Sequence, residues 1–290
     1  MKTYQKIIIL ILVISIALAT LIYFIVPQDK KRYAVFAGYN PDGTIHPYVI
    51  TYLKALNEVS DGVVYIANSP LISKEEAKLK ELTIHYENRI HGEYDFGSYK
   101  RGYNWLKDNG YLEKAEELIF ANDSTFAPVT SFKPMFKQMS QRKDLDFWGD
   151  LPDNRYALHL QPHFLVFRKQ VFQSETFADF INQVNKENHI SIYILKYEVN
   201  LTPYLAGKGY KWDSYLSDKN MPDLESEDKD AYPLTLISKY NHQFLKRHTF
   251  GPLAQIKEDK GELLKYIEKT SPQLHNDIMA EIFPYKKDKK

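Results

Sequence analysis

The chain has 290 residues, with 38 Lys plus Arg against 37 Asp plus Glu, and its net charge of +1 gives no long-range field that would gather nucleic acid. Cysteine is absent, which removes disulfides, zinc-thiolate sites and cysteine nucleophiles and fits a reducing compartment. An aromatic share of 14% supplies Tyr and Phe chiefly to a core and its edges, and secondarily for stacking on sugar rings.

Residues 7–26 are an uncharged apolar run of about twenty, the length a helix needs to cross the hydrocarbon layer. A cleaved signal peptide would have a shorter apolar core and a small-x-small cleavage site, whereas Tyr23, Phe24 and Val26 run straight into Pro27. The expectation is an uncleaved single-pass anchor over residues 1–32, followed by one domain over residues 33–290. Lys2 and Lys6 on one side nearly balance Lys30, Lys31 and Arg32 on the other, so charge leaves the orientation open.

Residues 33–37 predict a first strand, and Gly38-Tyr39-Asn40-Pro41-Asp42-Gly43 a loop. Helical spacing follows over residues 48–59, then a strand over 63–67, a helix capped by Ser73 with Glu76 three residues on, and a strand over 82–86. Residues 94–108 read as a helix closed by Asn109-Gly110, and a short second helix leads into a central strand at Leu118. That strand lies within the stretch Glu117-Leu118-Ile119-Phe120-Ala121-Asn122-Asp123-Ser124, an apolar run that ends in an amide, a carboxylate and a hydroxyl. The second half is less regular. It predicts an acidic aromatic loop over residues 144–150, a strand over 158–167, a helix over 174–185 and a strand over 190–195. A helix over 202–208, a mobile acidic loop over 213–230, and helices over 234–245 and 260–269 complete it. Alternating strand and helix imply an α/β fold around a mainly parallel sheet.

Polar clusters stand at the ends of several apolar segments, where open α/β sheets bind ligands. By itself Asp123 reads equally as a turn or helix-cap residue, and Glu198 as a first-turn glutamate favouring a helix dipole. At the end of a central strand, however, a carboxylate such as Asp123 is placed to hold Mg²⁺ or Mn²⁺ on a diphosphate.

In order along the chain, Arg89 with Tyr94-Asp95-Phe96-Gly97-Ser98-Tyr99-Lys100, Asn122-Asp123-Ser124 with Pro128, and Asp146-Phe147-Trp148-Gly149 form a recognisable set. His159-Leu160-Gln161, Tyr197-Glu198-Val199 with Leu201-Thr202, and Phe244 with Lys246-Arg247 extend it. The set resembles the GT-A glycosyltransferases and, more narrowly, the rhamnan synthesis protein F family of bacterial polysaccharide assembly, over residues 33–250. It departs from that pattern at Ile90, His91 and Glu93, at Ala127, at Pro162-His163 and in the first loop.

The resemblance implies a GT-A-like (Rossmann-like) sheet and an inverting transfer of rhamnose or a similar deoxyhexose. The donor would be a nucleotide-diphosphate sugar and the acceptor a lipid-linked or cell-wall glycan at a membrane, with no nucleic-acid partner. Glu198 becomes the catalytic base, with Asp146 as the next choice. Arg89, Asp95, Asn122, Asp123, Lys246 and Arg247 become donor-binding residues, and Asp123 holds the divalent cation. Asp144-x-Asp146 is closer in spelling to the metal motif of many sugar transferases, but it falls in a loop, and position favours Asp123. His159, Gln161 and Trp148 stand near the acceptor or metal. Since bacterial nucleotide-sugars are kept in the cytosol, the expected topology is an inner-membrane anchor with a cytoplasmic catalytic domain. A non-catalytic anchored carbohydrate-binding protein of the same fold, or a glycoside hydrolase with two carboxylates across a cleft, would need similar residues.

Overall fold

In the computed structural model, residues 31–224 and 228–283 are described. The central fact of the fold is a seven-stranded sheet. In chain order the elements are β1 (Arg32–Gly38), α1 (Pro47–Asn57), β2 (Gly62–Ala67), α2 (Ser73–Leu79), β3 (His85–Asn88), α3 (Tyr94–Asp108), α4 (Tyr111–Lys114) and β4 (Glu117–Asn122). Then come β5 (Thr125–Phe126), α5 (Lys133–Gln141), β6 (Phe147–Gly149), β7 (Pro152–Asp153), β8 (His159–Leu160), β9 (Phe164–Arg168), α6 (Lys169–Phe172) and α7 (Glu175–Asn182). The last are α8 (Ile190–Tyr193), a π-helical turn (Ile194–Val199), α9 (Asn200–Gly207), β10 (Trp212–Ser214), α10 (Pro233–Tyr240), β11 (Leu245–Lys246), α11 (Lys260–Thr270) and α12 (Pro272–Ile282).

The strand order is β10-β6-β9-β4-β1-β2-β3, with β9 antiparallel to β4 and β6 and every other neighbouring pair parallel. Both faces of the sheet are covered, which is why β1, β2 and β4 read as continuous apolar runs rather than alternating ones. On one face Phe36, Tyr65, Ile119, Trp148 and Val166 pack with α1, α5 and the carboxyl-terminal helices. On the other, Val35, Ile66, Phe120 and Phe167 pack with α3, α7 and α9, and Tyr99 stacks on Phe120 with ring centroids 4.4 Å apart.

Several expectations are corrected. No helix among the described residues is long and apolar enough to cross a membrane. The longest, α3, has 15 residues and carries Asp95, Lys100, Arg101, Lys107 and Asp108. At about 1.5 Å per residue it falls short of the roughly 30 Å hydrocarbon layer. That finding overturns the single-pass inner-membrane localisation expected above, and the run at residues 7–26 on which it rested lies outside the described residues. Ser73 does not cap α2: Ile72 is the N-cap and makes no side-chain bond, while Glu75 reaches back to the Ile45 N–H at 2.9 Å.

Residues 190–195 form helix, not strand. Tyr193 and Tyr197, four apart, bury their rings against Phe96, while Ile190, Ile192 and Leu195 are left exposed. Tertiary packing therefore outweighs β-branched propensity. The expected strand over 158–167 is split at Pro162 into β8 and β9. Of the expected mobile loop, residues 213–224 are held by β10, by two short 3₁₀ turns and by buried Tyr215, Leu216, Met221 and Leu224. Helix α12 is an addition: Leu274 and Ile278 bury one face, and Asp277 accepts a bond from Thr51 at 2.5 Å.

Where α3 crosses β1 the backbones approach closely at Gly102, and a Cβ there would lie 2.3 Å from Val35 Cγ1. Valine in a strand is stiff. Gly102→Ala should therefore destabilise the protein by roughly 1–2 kcal/mol in urea unfolding, overpacking outweighing the roughly 1 kcal/mol gain in helix propensity.

Candidate active site at the carboxyl edge of the sheet

Strand β4 ends in Asn122-Asp123, and β1, which lies beside it in parallel, ends at Gly38. The connection from β1 passes over one face and the connection into β4 over the other, which opens a crevice between their carboxyl ends. Asp123 bridges it: the Tyr39 N–H donates to Asp123 Oδ2 at 2.7 Å, and the Asp123 N–H donates to the Ala37 carbonyl at 3.2 Å.

A cavity of about 350 Å³ lies over this edge, lined among others by Asp95, Asn122, His159, Gln161, His163, Glu198 and Lys246. Asp95 enters from the first turn of α3, where the preceding Tyr94 takes a left-handed φ of 48°. For an aromatic residue that is a strained conformation, of the kind concentrated at functional sites. Asn122 Nδ2 donates to Asp95 Oδ2 at 2.6 Å, and Asn122 Oδ1 accepts from the Ser124 N–H and hydroxyl. Glu198 comes from the π-helical turn. Pro203, within α9, has no N–H to give the Val199 carbonyl and its ring crowds that carbonyl, a physical cause for the widened turn.

The three carboxyls hold protons more tightly than usual. Burial, then the charges of Asp123 and Glu198, push Asp95 to about 8, against the opposing bond from Asn122. Burial pushes Glu198 to about 7, against the pull of Lys246. Burial also lifts Asp123 to about 6, although the Tyr39 N–H and Arg247 lower it. Lys246 is in turn lowered by its own burial.

Of the residues singled out in the sequence, Asp95, Asn122, Glu198, Lys246, His159 and Gln161 line one cavity, while Asp123 lies outside its lining, between Asn122 and Ser124 and near enough for its charge to act on Asp95. His159 Nδ1 bonds to the Ala157 carbonyl at 2.7 Å, and Gln161 Oε1 is buried without a partner. Arg247 sits behind Asp123, not in the cavity: it pairs with Glu281, lies 5.0 Å over the Tyr48 ring and approaches the Asp123 carbonyl at 3.4 Å. Arg89 is exposed at the end of β3, 3.3 Å from Glu87. Trp148 is a core residue of β6, edge-on to Phe136 at 5.3 Å.

Asp146 lies at the opposite edge of the sheet. Its carbonyl accepts from Arg168, which aligns with Glu117 at the start of β4, and its carboxylate accepts from the Lys211 N–H at 2.7 Å and from Gln170 at 2.8 Å. Asp144 pairs with Arg142 on the surface. Among the described residues no group of three or more His, Cys, Asp or Glu is placed to hold a metal ion.

Sequence reasoning missed Asp150, His163 and His242, which are buried together beside the cavity. No spacing rule could have found them, because only the fold joins positions so far apart.

A family model described as rhamnan synthesis protein F matches residues 63–286. Virulence protein VirA of Vibrio anguillarum is 25% identical over 187 residues, covering 63% of this chain and 59% of that protein, so the chain spans less than two thirds of the relative's length. Among solved structures, a 4-diphosphocytidyl-2C-methyl-D-erythritol synthase has a TM-score of 0.42 at 11% identity, covering 67% of this chain and 91% of that one. Core-mannan synthase A from Aspergillus fumigatus, in its Mn/GDP form, has a TM-score of 0.36 at 10% identity, covering 65% and 73%.

A carboxyl whose proton affinity rises on folding stabilises the fold below its unfolded pKa, and that contribution is lost as pH climbs through the folded value. Asp95→Asn abolishes this titration. Its melting temperature relative to the parent should therefore climb between about pH 4, the ordinary carboxyl value, and about pH 8. A pH-independent difference in thermal denaturation would refute the assignment.

Proposed function

The chain belongs to the rhamnan synthesis protein F family, and from that premise and the geometry of the cavity we propose that it is a glycosyltransferase, moving a sugar from a nucleotide-diphosphate donor to a glycan acceptor. The observation that carries this reading is the convergence of Asp95, Asp123 and Glu198 with Lys246 at the carboxyl edge between β1 and β4. The fold is read as GT-A-like, with the nucleotide lying across that edge. The family's name favours rhamnose or a similar deoxyhexose as the sugar transferred.

Glu198 is the base. Raised to about 7 and with no hydrogen bond among the described residues, it can accept a proton from an acceptor hydroxyl near neutral pH. The freed oxygen then attacks the anomeric carbon from the face opposite the diphosphate, which inverts that centre, and the departing diphosphate gathers negative charge toward Lys246. Asp95, locked to Asn122 through Oδ2, offers its other oxygen to the donor's sugar or ribose hydroxyls. Asp123 takes the Tyr39 N–H on Oδ2, Oδ1 has no partner among the other described residues, and hard oxygen donors suit Mg²⁺ or Mn²⁺. With no group of three or more acidic or imidazole ligands among the described residues, Asp123 would hold such an ion together with the donor's phosphates and water, and the ion would neutralise phosphate charge.

The acceptor enters from a neighbouring cavity of about 250 Å³ that shares Asp153, Arg155 and Gln161 with the first. Gln161 Oε1, buried and unpartnered, is an acceptor for a sugar hydroxyl.

Thermal-shift measurement against a panel of nucleoside diphosphates, with and without Mg²⁺ or Mn²⁺, should show stabilisation by at least one of them. No shift with any nucleotide would sink this reading. Asp123→Asn should weaken the metal-dependent part of that binding. Glu198→Gln should leave binding nearly intact and reduce turnover by at least about a hundredfold. In the parent, kcat/KM should rise with pH through about 7 as Glu198 loses its proton. Near-normal turnover in Glu198→Gln would refute the base assignment.

A further inference from the structure

Asp150 follows β6 and is fully buried, yet the proposed reaction leaves it unused. Two histidine ring nitrogens meet it at a single oxygen: His163 Nε2 lies 3.0 Å and His242 Nε2 2.7 Å from Asp150 Oδ2. The other oxygen, Oδ1, is buried without a partner, as is His242 Nδ1. A buried carboxylate is strongly disfavoured unless a cation compensates it. Its cation is reached through His163, whose Nδ1 lies 3.1 Å from Lys246 Nζ at the wall of the cavity. The tautomer follows from the partners: Nε2–H donates to Asp150, which leaves Nδ1 to accept from the Lys246 ammonium.

We propose that Asp150 and His163 are positioning residues that fix the Lys246 ammonium as the cation meeting the donor's diphosphate. The proposal rests on the transferase reading above and gives it a device it otherwise lacks. A lysine ammonium on a flexible four-carbon stem is a poor fixed charge, whereas charge stabilisation of a leaving group depends on donors set in place beforehand. His163, 1% exposed and edge-on to Phe244 at 5.1 Å, cannot turn away. The restraint also governs the base. Lys246 faces Glu198 from the π-helical turn, Arg155 from the loop after β7, and Asp230 from the turn before α10, besides Asp150 behind it. Released from His163, the ammonium is free to pair with Glu198, which would hold that carboxyl ionised and draw its titration toward lower pH.

The test is calorimetric binding of nucleoside diphosphates to the full chain, each with its parent nucleoside as a control lacking the phosphates. Lys246→Ala should weaken diphosphate binding by about tenfold or more, the scale of one charge-assisted hydrogen bond, and leave the nucleoside within about twofold. His163→Phe should reproduce most of that loss and shift the acidic limb of the kcat/KM profile to lower pH. His163→Gln, whose amide can accept from Lys246 and donate to Asp150, should restore much of it. Lys246→Arg keeps the charge at a cavity-lining position that does not threaten folding, and it should bind diphosphate several-fold more weakly because its planar fork does not fit the His163 nitrogen. Parent-like diphosphate affinity in Lys246→Arg or His163→Phe would overturn the positioning role, and in Lys246→Ala the cation itself. If the parent binds no nucleoside diphosphate, the transferase reading falls and this inference with it, an outcome distinct from parent binding that the variants leave untouched.

Discussion

Everything at the carboxyl edge depends on one constraint, that β4 is buried on both faces and paired on both sides. With β1 on one flank and β9 on the other, no side chain from Leu118 to Ala121 meets water, so after Glu117 at its start the next polar groups it carries fall where the strand leaves the sheet. Asn122 then reaches Asp95 across to α3, and Asp123 takes the Tyr39 N–H across from β1. Those two bonds tie the loops after β1 and β3 to the end of β4. A site assembled this way inherits its precision from the sheet rather than from the loops, which are otherwise the least restrained parts of a fold.

The first half of the fold was legible because periodicity and burial agree there. Residues 94–108 and the apolar run from Leu118 carry one unambiguous pattern each, and the structure places α3 at the expected bounds and β4 over Glu117–Asn122. Residues 190–195 were misread because Ile190, Ile192 and Ile194 alternate as a strand would, while the decisive contacts, Tyr193 and Tyr197 on Phe96, lie nearly a hundred positions away in sequence. Helix α12 escaped because its buried face is narrow and includes a charged residue, Asp277, that the Thr51 hydroxyl and the Gln273 amide make tolerable. Local pattern thus succeeds where local and tertiary preferences coincide and fails where packing decides.

The same division holds for the site. Asp95 and Asn122 sit at the boundary of an element readable from sequence, whereas the helix expected over 234–245 ends at Tyr240 and Lys246 closes the short strand β11 instead. Glu198 is brought to the cavity although the strand expected before it does not exist, since the helical turn that replaces it still points toward the same edge. Asp146 shows the opposite case, an acidic pair with the familiar spelling that the topology puts at the amino end of the sheet, where its oxygens are taken by Lys211 and Gln170. Asp150 and His242 had no signal, because nothing in their local neighbourhoods distinguishes them from ordinary loop residues, and His163 stood out only as a departure from the family pattern.

The electrostatics of the cavity argue that these groups are not there for stability. Three carboxyls raised by burial, one of them raised further by the charges of the other two and one without a hydrogen bond among the described residues, are a burden that apolar or amide side chains would relieve. The cations nearby do not cancel it: Arg247 is committed to Glu281 and Tyr48, Arg155 to Asp153, and Lys246 is turned toward His163. A fold that keeps its acids and bases apart, each tied to a neutral or opposite partner of its own, leaves Glu198 facing Lys246 across an open space instead of closing onto it. That separation is what a base on one side of a reacting bond and a cation on the other require, and collapse of the two into an ion pair would stabilise the protein at the expense of both roles.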